Sequence, residues 1–192
     1  RVEVRYLFHN DGPQAVQGEV IFPLPPISLP ALHESGFALD ERQLAADNPV
    51  NFTLRIDGKA QPVQVERIAV IEPPYEVGRK ASLNYDSPGK DVTALLKEQG
   101  IGLSLDPTQV SAQLARLPQD RLKRLQEMQM VEVFAGEPPL PLWSIVLRYH
   151  WPQSFPAGQD LVIEHSYHPA PPGGIFIWPV TGIIFTSGST RP

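Results

Sequence analysis

Residues 18–30 read GEVIFPLPPISLP, and this stretch decides between two kinds of protein. Its first half alternates like a β-strand, with Val20 and Phe22 on one face, but four of its last eight residues are prolines. An exposed polyproline ligand for a partner domain is one interpretation, and a strand stopped at a sheet edge is the other. Because apolar residues directly precede the prolines, we favour the stopped strand, with Phe22 and Leu24 pointing into the core. Proline lacks the N–H that a β-ladder needs, so Pro23 and Pro25 are expected to end the pairing.

The flanking sequence predicts two hairpins. Residues 1–9 alternate between apolar and polar positions, and the turn formers of residues 9–14 separate them from the strand that ends at Phe22. Residues 50–56 form a further strand that runs into Asp57-Gly58, a dipeptide suited to a tight hairpin turn. On its return strand the apolar phase slips at residues 66–67, which predicts a β-bulge there.

The remainder of the chain predicts helices followed by a third hairpin. Residues 91–100 form a helix with Asp91 as N-cap, Asp106 and Pro107 open a second helix, and residues 118–130 form a third. Strands 143–151 and 160–168 then flank the turn at residues 156–159. This order predicts an α+β, mainly β fold: an antiparallel β-sandwich with a helical insertion. Residues 1–86 are its first part, 87–140 the helical insertion with a proline-rich bridge, and 141–192 its returning strands.

Composition excludes several classes of function. The 192-residue chain has a net charge of -5, which disfavours nucleic acid as a partner. Its basic cluster is interleaved with acidic residues and is interpreted as a solvated helix face; it comprises Arg116, Arg121, Lys123 and Arg124 beside Asp120 and Glu127. No cysteine is present, so there is no disulfide or thiolate site. The longest apolar run, residues 175–185, is shorter than the roughly 20 residues of a membrane-spanning helix.

Histidines and carboxylates near the third hairpin offer two interpretations. Glu164 and His168 lie on one face of a strand, and His150 of the neighbouring strand joins them as a metal site if the register allows. The alternative is that these are ordinary surface or hydrogen-bonded side chains of a sheet. His165 points to the opposite face from His168 and cannot grip the same ion. We predict neither a metal nor a cofactor.

The tryptophans also offer two interpretations. Trp143, Tyr149 and Trp151 share one strand face, which suits either a stacking platform for sugar rings or the core of a sandwich. We favour the core and keep Trp143, Trp151, His150, Glu164 and His168 as candidate binding residues. Neither a glycine-flanked serine elbow nor a phosphate-binding glycine loop is present in the sequence, so no catalytic residues are predicted.

Several segments together resemble an uncharacterised family of exported bacterial proteins, catalogued as domain of unknown function 4424. The matching pieces are VRYLFHNDGPQAVQGEVIFPLP, FTLRIDGKAQPVQVE, DVTALLKEQGIGLSLDP, WSIVLRYHWPQSFPAG and VIEHSYHP, which cover most of residues 1–170. The final stretch, residues 175–192, departs from the family pattern. The first two pieces are also similar, more distantly, to the β-sandwich domain shared by vault proteins and inter-α-trypsin inhibitor heavy chains.

The resemblance implies export through a signal peptide that has been removed, and hence a periplasmic or extracellular location. It implies no catalytic residues. We therefore expect a secreted, non-enzymatic β-sandwich that binds an envelope protein or serves a structural role. The alternative is a carbohydrate-binding module, or a weak glycan-processing enzyme, that uses the tryptophan-bearing sheet face. The oligomeric state is left open by the sequence.

Overall fold

The computed structural model describes residues 1–35, 41–74, 80, 83–168, 175–177 and 184–186. The strands are β1 Val2–His9, β2 Val16–Pro23, β3 Ile27–Ser28, β4 Thr53–Ile56, β5 Lys59–Gln61, β6 Gln64–Ile71, β7 Lys90–Asp91, β8 Val131–Glu132, β9 Leu140–Pro141, β10 Ser144–Phe155, β11 Asp160–Tyr167, β12 Ile175–Ile177 and β13 Ile184–Thr186. The helices are α1 Leu29–Ser35, α2 Glu41–Ala45, α3 Leu83–Asp86, α4 Thr93–Glu98, α5 Pro107–Leu114 and α6 Gln119–Glu127. None of the helices in these segments is long and apolar enough to cross a membrane.

Two antiparallel sheets form the body of the fold. One has the order β1-β11-β4-β5, and the other has the order β2-β10-β6-β7 with β3 also paired to β10. Short pairs β8-β9 and β12-β13 stand apart from them. The predicted fold class, a mainly β antiparallel sandwich with helices, is confirmed.

The first and third predicted hairpins are wrong, because each predicted pair is divided between the two sheets. β1 pairs with β11 from Val2↔Tyr167 to His9↔Asp160, whereas β2 pairs with β10. Alternation shows which face of a strand enters the core, whereas the pairing partner is hydrogen-bonded along the strand's edge, so alternation alone does not fix the partner. The connections at residues 10–15 and 156–159 cross from one sheet to the other.

The second predicted hairpin is confirmed only at its turn. Asp57 and Gly58 both have positive φ, and β4 and β5 pair across them. The return strand then leaves this sheet: β6 pairs with β10 in an unbroken register from Gln64↔His150 to Val70↔Ser144. The predicted bulge at residues 66–67 is therefore wrong. The apparent phase slip arises because Ile68 and Val70 are buried on the outer face, in a small cluster with Val146.

The proline-bearing stretch follows β10 for most of its length. Pro23 is the last residue of β2, as predicted, and Leu24 is buried while its N–H donates to the Leu147 carbonyl at 2.9 Å. Pairing resumes two prolines later, where β3 lies against Ser144 and Ile145. The prolines therefore interrupt this sheet edge and do not end it.

One apolar core joins the sheets and the helices. Its buried residues include Leu147 and Ile163 from the sheets together with Leu96, Leu114 and Leu125 from the helices. The N-cap prediction for α5 is confirmed, since the Asp106 carboxylate accepts from the Thr108 and Gln109 N–H groups at 2.9 and 3.2 Å. The N-cap of α4 is Val92 and not Asp91 as predicted, although the Asp91 carboxylate accepts from the Thr93 N–H at 2.8 Å.

The predicted basic helix face is exposed. Only Leu122 and Leu125 of α6 are buried, while Arg121, Lys123 and Arg124 face solvent.

Candidate functional site

The two candidate tryptophans lie inside the sandwich. Trp143 is 0% exposed and Trp151 is 3% exposed, and both belong to the central core. Their neighbours on the inner face of β10, Ile145, Leu147 and Tyr149, are buried with them. These indole rings therefore offer no stacking surface to a sugar.

The candidate polar residues do not converge. His150 lies on the outer face of the five-stranded sheet, where its Nδ1 is 2.5 Å from Glu19 Oε1. Glu164 lies on β11 of the other sheet, and exposed His168 follows that strand with its N–H bonded to the Val50 carbonyl at 2.8 Å. The register that the metal interpretation required, with His150 beside Glu164, does not occur, because β10 and β11 lie in different sheets. Within the described segments, no three His, Asp or Glu side chains are grouped to hold a metal ion.

The third histidine of the region, His165, is buried among aromatic rings. Its ring centroid lies 4.3 Å from that of Phe22, 5.2 Å from that of Phe52 and 5.6 Å from that of Tyr6. The ring is 3% exposed, and neither of its nitrogens has a hydrogen-bond partner among the described residues. Burial lowers the pKa of His165 because the imidazolium form loses its hydration.

A concave depression of about 720 Å³ lies over the four-stranded sheet. Since residues alternate between the two faces of a strand, the outer face of this sheet carries its charged and hydroxyl side chains while Leu54 and Ile163 enter the core. We call this depression the charged groove. Its polar lining residues are Arg1, Glu3, Arg5, Thr53, Arg55, Glu164 and Ser166, and Ala60 lies beside them.

The strand register builds the groove in two rows. In the first row, Glu164 is the partner of both Arg5 on β1 and Arg55 on β4. Arg5 Nε lies 3.5 Å from Glu164 Oε1. Arg55, on the other side of Glu164, makes no ion pair or side-chain hydrogen bond with the described residues. Ala60 pairs with Arg55 on the next strand and adds only a methyl group. The first row is therefore an arginine, its counter-ion, a free arginine and a gap.

The second row forms a hydroxyl floor. Ser166 is the partner of Glu3 and of Thr53, and the Ser166 and Thr53 hydroxyl oxygens are 2.8 Å apart. Arg1 donates to Ser166 Oγ at 3.1 Å and pairs with Glu3 at 3.1 Å. Ser166 is 7% exposed, so this floor lies below the level of the arginines.

A second depression, of about 530 Å³, lies at the helical end of the molecule. It is lined mainly by small and apolar residues of α5 and the β8–β9 connection, among them Ala112, Ala115, Phe134 and Leu140. His33 and Glu137 are its charged or titratable side chains. The depression carries no paired or convergent polar groups comparable to those of the charged groove.

Sequence reasoning identified Glu164 but missed the groove. Glu3 and Arg5 occupy polar positions in the alternation predicted for residues 1–9, yet nothing in the sequence reveals that β11 and β4 bring Glu164 and Arg55 beside them. The only signal was the repeated alternation of charged residues on three strands, which has meaning once the strands are placed in one sheet.

The family comparison gives a match over residues 1–183 to a family described as "Domain of unknown function (DUF4424)". The chain belongs to this family. The match includes residues 175–183, half of the final stretch, so the prediction that this stretch departs from the family pattern is wrong over that half. No curated protein and no solved structure matches the chain. Membership of the DUF4424 family does not by itself assign a function to the chain.

Proposed function

We propose that this DUF4424 chain is an exported, non-enzymatic β-sandwich domain that binds a protein component of the cell envelope through the charged groove. The observation that carries the proposal is the groove itself. It is a concave polar depression on an outer sheet face, with one arginine, Arg55, that makes no ion pair or side-chain hydrogen bond with the described residues. Its volume of about 720 Å³ falls within the range of roughly 300–1,000 Å³ of ordinary binding sites.

The rigidity of the groove supports a binding role. Its side chains project from three paired strands whose opposite faces enter the core, so the backbone positions do not depend on a mobile loop. A site whose backbone is already ordered loses less conformational entropy when a ligand binds. The extracellular or periplasmic location is part of the proposal and is supported by the resemblance to exported bacterial proteins.

Site-specific photo-crosslinking in the full-length protein tests this proposal. A photoreactive amino acid in place of exposed Leu7 lies beside the groove, on the same face of β1 as Arg5, and one in place of exposed Glu66 lies on the outer face of the other sheet. We expect a discrete protein adduct in envelope preparations from position 7, and none of the same mass from position 66. Equal adducts from both positions, or none from position 7, would contradict a role for the groove.

A further inference from the structure

The hydrogen-bonding capacity of the groove identifies the chemistry of its ligand. Arginine side chains only donate, and the carboxylates of Glu3 and Glu164 are already bound by Arg1 and Arg5. Arg55 keeps its full set of donors. Each carboxylate keeps further lone pairs, but the five N–H donors of each of the three arginines outnumber the roughly four acceptor sites of each of the two carboxylates. The groove therefore has donors in excess, and a ligand can satisfy that excess only with acceptor atoms.

The hydroxyl floor adds one more donor. Arg1 makes Ser166 Oγ an acceptor, and the Ser166–Thr53 contact uses the hydrogen of one of the two hydroxyls. The hydrogen of the other hydroxyl has no acceptor among the described residues. Whichever way the pair is oriented, the floor offers one free O–H.

The net charge of the groove also favours a ligand that supplies acceptor atoms, in particular an anionic one. Three arginines face two glutamates, which leaves an excess of one positive charge on this face of a chain whose net charge is -5. An arginine with free donors binds a carboxylate through two parallel hydrogen bonds. The carboxylate of a ligand would occupy the gap beside Arg55 over Ala60, where no side chain beyond the methyl group intrudes.

From these contacts we infer that the charged groove binds carboxylate side chains of an extended acidic peptide segment. This rests on the proposed function and names the class of partner. Among the groove residues no aromatic ring is exposed: the lining aromatic group is His165, which is 3% exposed. A sugar ring would therefore find no stacking surface, whereas a glutamate side chain finds both a cation and a hydroxyl donor.

Peptide binding to the full-length protein tests the inference, measured by fluorescence anisotropy with labelled hexaglutamate at low ionic strength. Arg55→Ala is expected to weaken binding about tenfold, the scale of one bidentate charged contact, and Arg55→Lys less. Arg148→Ala is the matched control, because Arg148 is a half-exposed arginine paired to Glu66 at 3.8 Å on the other sheet, and its loss is expected to leave binding unchanged. Raising the salt concentration is expected to weaken binding to the unmodified protein.

The variant Glu164→Gln is expected to change the affinity for hexaglutamate in the opposite direction. Removing this carboxylate frees Arg5 and removes a like charge, so binding is expected to become tighter by several-fold. A damaged fold cannot produce that gain, so the pair Arg55→Ala and Glu164→Gln separates a binding role from a structural one.

The remaining outcomes are also decisive. If hexaglutamate fails to bind, or binds Arg55→Ala equally well, the acidic-peptide inference is overturned, while adduct formation at position 7 still supports a protein-binding groove. If trigalacturonate binds in an Arg55-dependent manner and hexaglutamate does not, the groove recognises the carboxylate of an acidic sugar, and the inference is likewise overturned.

Discussion

The ring of Phe52 stacks on the ring of Tyr149, with centroids 4.3 Å apart and planes inclined by 13°. Phe52 precedes β4 of one sheet and Tyr149 lies on β10 of the other, so this pair joins the two layers of the sandwich. The Tyr149 hydroxyl lies 3.0 Å from Asn48 Oδ1, to which it donates. Burial raises the pKa of the Tyr149 phenol, so the group stays protonated as a donor.

Removing this hydroxyl is expected to cost little more than one hydrogen bond. In Tyr149→Phe the ring stack remains, and Asn48 Oδ1 still accepts from the Phe52 N–H at 2.8 Å. We expect a loss of about 1 kcal/mol in the free energy of unfolding, measured by urea denaturation. Tyr85→Phe, at an exposed tyrosine, is the control and is expected to change nothing measurable. A loss as large as that of a core cavity would show that the hydroxyl has a role beyond this bond.

His165 predicts a pH dependence of stability with a definite sign. Because burial lowers its pKa in the folded state below the ordinary value of 6.5, the unfolded chain binds the proton more readily. The contribution of the neutral ring to the free energy of unfolding is therefore fully present above pH 6.5. It is lost as the pH falls from 6.5 through the folded-state pKa. Below that pKa the effect levels off.

The comparison of His165→Phe with the unmodified protein isolates this effect. Urea midpoints measured from pH 8 to pH 5 are expected to fall more steeply for the unmodified protein than for His165→Phe. His9 acts in the opposite direction, because its hydrogen bond to Asp160 raises its pKa and stabilises the fold at low pH. Both proteins retain His9, so its effect on the urea midpoint cancels when the two pH profiles are subtracted. Parallel pH profiles would contradict the assignment to His165.

The burial of the tryptophans predicts their response to quenchers. The chain has three tryptophans, and Trp178 lies outside the described residues. In Trp178→Phe, the fluorescence of Trp143 and Trp151 is expected to resist iodide in the native state and to become accessible in urea. Strong native-state quenching in that variant would contradict the buried placement and would revive a sugar platform on this strand.

The N-cap of α5 predicts a small and specific loss of stability. Asp106→Ala removes the acceptor for two helix N–H groups and is expected to cost about 1 kcal/mol of unfolding free energy. Asp106→Asn keeps a capping oxygen and is the matched control, with most of the stability retained. Equal losses in the two variants would show that the charge, and not the cap, is what matters.

Gly89 predicts a larger effect. A Cβ built on this residue lies 2.3 Å from the Ile71 carbonyl oxygen, and its φ is +155°. Gly89→Ala is therefore expected to cost about 1–3 kcal/mol and to disturb the pairing of β7 with β6. Gly18→Ala is the control, because nothing lies within 4 Å of its Cβ position. Similar unfolding midpoints for the two variants would contradict the close approach.

Local features of the fold were predictable from the sequence, but strand partners were not. The Asp57-Gly58 turn and the Asp106 cap depend on neighbouring residues and were found correctly. The partners of β1 and β2 depend on whether the connection at residues 10–15 stays in one sheet or crosses to the other, and periodicity is the same in both cases. The charged groove was missed for this reason, because Arg5 and Arg55 become neighbours only through β11.

The position of β10 and β11 in their sheets has a consequence for the order of folding. β10 lies between β2 and β6 in one sheet, and β11 lies between β1 and β4 in the other. β10 begins only at Ser144, and β11 begins only at Asp160. During synthesis the earlier strands therefore leave the ribosome without their principal partners. Such non-local pairing slows folding and leaves strand edges exposed to aggregation until the last quarter of the chain has been made. A chain truncated before residue 144 would lack the strand that joins β1 to β4 and the strand that joins β2 to β6, so both sheets are expected to form only after residues 144–167 have been synthesised.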